Sequence, residues 1–479
     1  MSPPRTIIVG GGLAGLTAAH TLLEHGKDVL LLDKMPSLGG NSVKASSGIN
    51  GAGSAAQQAL DINDSPEAFF ADTEASAGAE LARPALITAL TGNSAGAIAW
   101  LTGTFGVDLS VVARLGGHSA ARTHRDKGGA PGWAITSALM KRLEAEGARA
   151  QIVKSARVLR LLEEADGVVG VEYETAGTLH EARGHVVLAT GFVALPYSGI
   201  ALTETTCSGY SADATPGSLL ATHRPDLLAL PTTNGAHATG DGVRLATALT
   251  APAGMCDLDQ VQVHPTGLLD PAKPEAKTTF LGAEALRGAG GLLLDARGAR
   301  FVDEVGRRDA VTAAVQAAAL RGPVRLVLGQ AAAAEVGKHC GFYASKGLMK
   351  RYASAAEFSA DAGIPLAALE ATFVSYNASA SGTAPDPFGK ATFHNALYTP
   401  NEELHVAVIT PVVHYTMGGL TVDARARVLA AGTAQPIPGL WAAGEVIGGV
   451  HGRNRLAGSS LLEAVVFGRI AGAGAAQGV

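Results

Sequence analysis

The sequence is short of cysteine, of charge and of long apolar runs, and each shortage excludes a class of protein. Only Cys207, Cys256 and Cys340 occur in 479 residues, too far apart for a CxxC site, a haem attachment or an iron–sulfur cluster. They read as buried thiols in a reducing compartment. Charged residues are 16% of the chain against a typical ~25%, and 37 Lys+Arg against 42 Asp+Glu leave a net charge of −5. That balance lacks the basic surface with which a nucleic-acid binder meets phosphates. No uninterrupted apolar run approaches the ~18 residues of a membrane span, and the opening MSPPRTIIVGGG leaves no room for a charged leader with an apolar segment. The expectation is a soluble, cytoplasmic protein with no membrane insertion, no nucleic-acid partner and no metal.

Glycine, by contrast, is in excess: 61 of 479 residues, about 13% against a background near 7%. The length, roughly three times that of a usual single domain, predicts two or three domains. A short apolar strand at 6–9 runs into Gly10, Gly11, Gly12, Leu13, Ala14 and Gly15, and a helical pattern follows to Gly26. A second apolar run, 29–32, ends in Asp33. Strand, glycine turn, helix and a strand closed by an acid together make a βαβ unit for a dinucleotide. The glycines let backbone N–H groups at the helix start approach a pyrophosphate, and Asp33 stands where a carboxylate accepts ribose hydroxyls.

Further strands are predicted at 186–189, closed by Thr190 and Gly191, and at 440–443, closed by Gly444 and Glu445. In an open α/β sheet a ligand lies beyond the carboxyl ends of the strands, so these ends are expected to meet the cofactor again. One sheet drawn from residues so far apart implies an insertion. The predicted domains are 1–262 (dinucleotide-binding, first part), 263–400 (the insertion) and 401–479 (dinucleotide-binding, second part). Within the insertion, helices are predicted at 310–320 and 366–377, with a polar link at 378–390. The Ala/Gly-rich 471–478 reads as a frayed terminus.

Four strings carry a family resemblance: 10–33, QVHPTG at 262–267, AEALRG at 283–288 and GGVHGRNRL at 448–456. RFVDE at 300–304 followed by Arg308 and Asp309, and HYTMGG at 414–419, extend it. Together they resemble the soluble FAD-dependent fumarate reductases, relatives of the succinate dehydrogenase flavoprotein, over nearly the whole chain. The resemblance implies an α/β fold, a Rossmann-like FAD-binding domain with an inserted α+β clamp (capping) domain. It implies reduction of fumarate to succinate, with hydride from the reduced flavin. By matching motifs, His264, His414 and Arg455 fall on dicarboxylate-binding positions, with Gly458 and Gly48 beside them. Arg308 falls on the proton donor, and Glu284 and Arg287 on the relay that reprotonates it. The implied FAD contacts are Gly10, Gly12, Ala14, Gly15, Asp33, Lys34, Gly40, Asn41, Ser42, Ser47, Gly48, Asn50, Asp241, Glu445, Arg455, Ser460 and Leu461.

The residue types suit such chemistry on their own terms. A guanidinium grips a carboxylate bidentately and stays charged, and histidines near a second carboxylate polarise the alkene between them. An arginine protonates a carbon only if held close to it and coupled to a base. Several positions keep a second reading. Glu284 and Arg287, three apart, suit a relay or a structural salt bridge. His264 fits a ligand group or a satisfied core histidine, and Arg308 a proton donor or a surface partner of Asp309. Asp241 fits a cofactor contact or a helix cap; Ser459 or Ser460 fits a cap on the helix from 461. Arg307 reads as solvated and His451 as a packing or flavin-side residue, while Arg453 has no assigned role.

Membrane-bound relatives attach FAD through a histidine. The corresponding residue here is Asn41, so FAD is expected to be noncovalent. The chain has no haem motif, which implies a separate donor such as reduced free flavin or a redox partner. Ala283 stands where some relatives have a threonine. Alternatives are a related flavin oxidoreductase on another dicarboxylate or unsaturated acid, aspartate oxidase-like, and a non-catalytic flavin-binding scaffold. Oligomeric state stays open, a monomer being the default.

Overall fold

A computed structural model of the chain describes residues 5–127, 130–190, 209–235 and 238–478. Gly191 and Cys207 lie outside them. In chain order the elements that position the site are β1 (Thr6–Val9), α1 (Leu13–Glu24), β2 (Val29–Leu32), β3 (Ala150–Val153) and β4 (Val186–Leu188). They continue with β5 (Val261–Leu268), α2 (Glu284–Gly288), β6 (Leu292–Leu294), α3 (Arg308–Ala319), β7 (Val324–Leu328) and β8 (Leu404–Thr416), and end with β9 (Arg427–Leu429), β10 (Pro436–Ala442) and α4 (Ser459–Gln477).

The first sheet has the order β9-β10-β4-β1-β2-β3, parallel except for the β9 edge. Its inner strands, TIIV, VLLL and VVL, are buried throughout, as unbroken apolar runs covered on both faces must be. The turn after β1 admits only glycine at two places. Gly10 has φ +110°, and a Cβ there would stand 2.3 Å from the Ala189 carbonyl oxygen; a Cβ on Gly15 would stand 1.9 Å from the Gly10 carbonyl oxygen, so α1 can start this close to β1 only without one.

The second sheet orders the two-residue strand Phe280–Leu281, β5, β8, β7 and β6, all antiparallel. α2, α3 and four further helices pack with it in two apolar cores. The limit drawn between 262 and 263 falls inside β5, and its partner β8 lies wholly beyond the limit drawn at 400, so the sheet of the insertion reaches past both. The helices predicted at 310–320 and 366–377 are Arg308–Ala319 and Leu366–Ala380.

One expectation is corrected. The terminus is not frayed: α4 runs to Gln477 with Ala471 and Ala475 buried, lying along α1. Its glycines are the reason, since a Cβ on Gly472 would meet the Ala18 carbonyl oxygen at 2.8 Å and one on Gly474 the Trp441 indole nitrogen at 2.7 Å. The polar link predicted at 378–390 is turn and coil beyond Ala380, and it is tied down. Its first residues finish a helix, Asp386 accepts from Arg300 at 2.7 Å, and the buried Lys390 ammonium donates to Glu304 at 2.9 Å. Buried charges of this kind persist only when paired, which is what ties the segment down.

Candidate active site

A groove follows the carboxyl ends of β1, β4 and β10. One part is lined by Gly12, Ala14, Gly40, Asn41, Glu445 and Ser460; the other, past the glycine turn, by Asp33, Lys34, Thr190 and Asp241. α1 begins at Leu13 without a side-chain cap, and a Cβ on Gly12 would meet nothing nearer than 3.8 Å, so the turn presents bare backbone to open space. α4 likewise begins without a side-chain cap behind Gly458, with Ser460 and Leu461 on the groove. Two uncapped helix starts aimed at one groove suit a pyrophosphate and a second electron-rich group. The cap reading of Ser459 and Ser460 is thereby removed: Ser459 Oγ instead accepts from the Asn50 amide at 2.9 Å.

Asp33 closes β2, as expected. Its Oδ2 accepts from the Gly11 N–H at 2.7 Å and its Oδ1 from the Met35 N–H at 2.8 Å, and burial pushes the carboxyl up to about 6 against those bonds. Lys34 donates to Asp241 at 3.0 Å, and its own burial, opposed by that carboxylate, lowers the ammonium to about 8. Asp241 is not a helix cap: the helix Asp241–Thr247 is capped by Gly240 with no side-chain bond, and Asp241, its first residue, lines the groove. Ser42 Oγ accepts from the Leu13 N–H at 3.3 Å. Glu445 Oε1 accepts from the Thr416 N–H at 2.8 Å. The Asn50 amide donates to the Ala457 carbonyl at 2.8 Å and its Oδ1 accepts from Thr123 at 2.7 Å. Gly48, with φ +122°, lets that strand pass the His124 carbonyl, and Ser47 is half-buried beside it; the Gly458 carbonyl accepts from the Asn50 N–H at 3.1 Å. These residues brace the start of α4.

Next to the groove is a buried cluster of charge. Arg308, the first residue of α3, donates through Nε to Glu284 Oε2 at 2.6 Å and through Nη1 to Gln262 Oε1 at 2.7 Å. Gln262 Oε1 also accepts from Arg455 Nη2 at 3.1 Å. Arg287 Nη2 lies 3.5 Å from Glu284 Oε2, one turn along α2, and its Nη1 donates to the Glu304 carbonyl. His264 Nε2 lies 3.6 Å from the same Glu284 oxygen, and the His264 and His414 rings meet edge to face with centroids 5.2 Å apart. Sequence-distant groups are thus brought together by β5, α2, α3, β8 and the loop before α4.

Arg308 is not a surface partner of Asp309. That carboxylate pairs instead with exposed Arg307, at 2.6 Å, and Arg308 is buried. Arg453 is exposed and pairs with Glu80, apart from the cluster. His451 is buried, its Nε2 3.2 Å from Glu463.

Burial sets the protonation of the cluster. It depresses His264 to about 3, with Arg308 adding to the effect, and holds His414 well below the usual imidazole range with His264 and Arg308 adding. Both rings are therefore neutral. The Thr266 N–H points at His264 Nδ1 at 3.3 Å, which leaves the ring proton on Nε2, and His414 Nδ1 shares a 2.8 Å bond with Thr233 Oγ1. Burial would raise Glu284, but Arg308 and Arg287 outweigh it and keep the carboxyl well below its usual range. Burial brings Arg308 down to about 10, despite Glu284 beside it. Three guanidiniums against one carboxylate leave two positive charges uncompensated in the cluster. Arg287 Nε and Nη2, Arg455 Nε and His264 Nε2 have no hydrogen-bond partner among the described residues. A buried surplus of cationic donors calls for a small dianion.

Gln262, Thr233, Tyr415 and Glu463 were not singled out from sequence. Gln262 and Tyr415 stand inside the quoted strings, so position beside a motif histidine was an available signal; Thr233 and Glu463 carry none, because their partners are 181 and 48 residues away. Among the described residues no cluster could hold a metal ion, and no helix is long and apolar enough to cross a membrane.

Residues 5–461 match the family model described as FAD binding domain. Similar proteins include a fumarate reductase of Schizosaccharomyces pombe, 44% identical over 99% of this chain and 89% of that one, and fumarate reductase 1 of Saccharomyces cerevisiae, 38% identical over 98% of each. Among solved structures, the open conformation of a flavocytochrome c3 fumarate reductase superimposes on 99% of this chain and 78% of its own with a TM-score of 0.75 at 30% identity.

Proposed function

Since the chain belongs to the family of FAD-binding-domain flavoproteins that includes the fumarate reductases, we propose that it reduces fumarate to succinate at the cluster around Arg308. The observation that carries this reading is the match between two uncompensated buried positive charges and a dianion with two carboxylates. FAD is the cofactor: the bare glycine turn, Asp33 and the start of α4 would hold it, and in its reduced form it supplies a hydride equivalent to one alkene carbon. Asn41 offers no nucleophile at the groove, which supports noncovalent attachment.

Arg455 and the neutral His264 and His414 bind and orient the substrate carboxylates. Neutral imidazoles donate a hydrogen bond without giving up a full proton, so they polarise a carboxylate conjugated with the alkene and leave protonation to another group. Arg308 delivers that proton to the carbon next to the one that accepts hydride, and a succinate dianion results. Its lowered proton affinity makes it a better acid than a solvated arginine. Glu284, bonded to Arg308 Nε and within 3.5 Å of Arg287, passes a proton back to Arg308. Gln262 ties Arg308 and Arg455 together through a single oxygen. The electron donor we propose is a separate reduced flavin or redox protein.

Arg308→Ala tests the reading. Fumarate-dependent reoxidation of a reduced viologen is expected to fall by at least ~10²-fold, the range of general acid catalysis, with FAD still bound. A loss under tenfold would refute the role of Arg308. A panel of unsaturated acids, each read by reoxidation of the bound flavin's absorbance, tests the substrate.

A further inference from the structure

Tyr415 lies between the two halves of the site. Its ring forms part of the groove wall, and the Arg455 guanidinium carbon stands 4.3 Å from the ring centroid. That is cation–π range, and with both groups buried the attraction is little screened. Arg455 has few other anchors: Nη2 on Gln262, Nη1 on the Leu456 carbonyl at 3.3 Å, and no partner for Nε among the described residues. The plane of Arg455 is thus set largely by the ring beneath it.

The ring is itself held. The Tyr415 hydroxyl donates to Glu463 Oε2, the oxygen that His451 Nε2 approaches at 3.2 Å, and the His451 ring meets Tyr415 edge to face at 5.9 Å. Tyr415, Glu463 and His451 are all buried, and Glu463 lies in the first turns of α4, the helix whose start faces the groove. A buried carboxylate is costly unless it is hydrogen-bonded, and the partners Glu463 takes are the Tyr415 hydroxyl and His451. Those bonds fix the orientation of Tyr415.

We propose that Tyr415 is a positioning residue for Arg455, aligning its guanidinium with the substrate carboxylate, and that Glu463 and His451 lock the Tyr415 ring in place. This rests on the reading of Arg455 as a carboxylate binder. It gives the chain a specificity element that joins the dinucleotide groove to the anion cluster. Tyr415→Leu removes the ring face and Tyr415→Phe keeps it, so the two variants separate ring from hydroxyl.

The test is steady-state fumarate reduction by a reduced viologen on FAD-loaded protein. Tyr415→Leu is expected to raise KM for fumarate at least tenfold with kcat within threefold, and Tyr415→Phe, which keeps the ring and loses the bond to Glu463, to raise KM only about threefold. In an Arg455→Ala background, Tyr415→Leu is expected to add nothing. If Arg455→Ala raises KM and Tyr415→Leu does not, or if the two effects multiply, the positioning role is overturned while the function stands. If Arg455→Ala leaves KM unchanged, the carboxylate-binding reading itself fails. Should Tyr415→Leu not retain FAD, Glu463→Gln and Tyr415→Phe decide the matter: each is expected to raise KM about threefold, with no further rise in the double variant, and independent effects would refute the lock.

Discussion

At the scale of single residues the site works by burial. His264 and His414 are usually thought of as groups that titrate near pH 6.5, but burial among arginines keeps both neutral throughout the working range. The pH profile of kcat/KM is therefore expected to show no limb near 6.5, and to decline as pH rises through about 10, where Arg308 loses its proton. A limb near 6.5 that disappeared in His264→Gln would contradict this. Gln262→Leu tests the shared anchor: without the oxygen that both arginines use, fumarate turnover is expected to fall at least tenfold in steady-state assay with FAD occupancy intact. Asp33 makes a thermodynamic statement. Its carboxyl is raised from 3.8 to about 6, so between those values the folded FAD-free protein binds more protons than the unfolded chain, and stability is lost as pH rises through that window. Thermal denaturation at a series of pH values is expected to show the slope, and adding FAD to flatten it, because hydroxyl donors stabilise the charged carboxylate.

At the scale of elements, the glycine-rich α4 illustrates what packing demands. Gly468 and Gly472 lie against α1, where a Cβ would come within 2.7 and 2.8 Å of the Ala14 and Ala18 carbonyl oxygens. Gly103, in the helix Ser94–Phe105, has nothing within 4 Å of the same position. Alanine has the higher helix propensity in both, by about 1 kcal/mol. Gly103→Ala is thus expected to raise Tm slightly. Gly472→Ala is expected to lower it, overpacking costing about 1–3 kcal/mol. Reversal of that order in a calorimetric melt would show that the helices have room to separate. The strands and the first helix were legible in the sequence because an unbroken apolar run and a strand–glycine–helix turn have a local cause. The terminus was misread as frayed because Ala and Gly look alike whether solvated or packed against another helix. Its partner, α1, is more than 400 residues away in the chain.

At the scale of the whole molecule, two sheets hold two halves of one reaction. The parallel sheet carries the groove and the start of α4. The antiparallel sheet and its helices carry His264, Glu284, Arg287, Arg308 and His414. The electron donor proposed for the site is a separate reduced flavin or redox protein. NADH with fumarate alone is therefore expected to give a background rate by NADH absorbance, and addition of free reduced flavin to give turnover. Direct, stoichiometric NADH oxidation would show a second nucleotide site.

The amino-acid sequence alone determined the dinucleotide turn, the unbroken apolar runs that make a parallel sheet, and the identity of the ionic residues, because each depends on neighbours a few positions away. Tertiary structure decided what those residues are. Arg307 and Arg308 are adjacent and chemically identical, yet one makes an exposed pair with Asp309 and the other a buried pair with Glu284. Local pattern cannot tell them apart, since the difference is the direction each takes at the start of α3. The bond from Tyr415 to Glu463, and the pairing of Arg308 and Arg455 on one oxygen of Gln262, likewise exist only once distant strands and helices have closed over them.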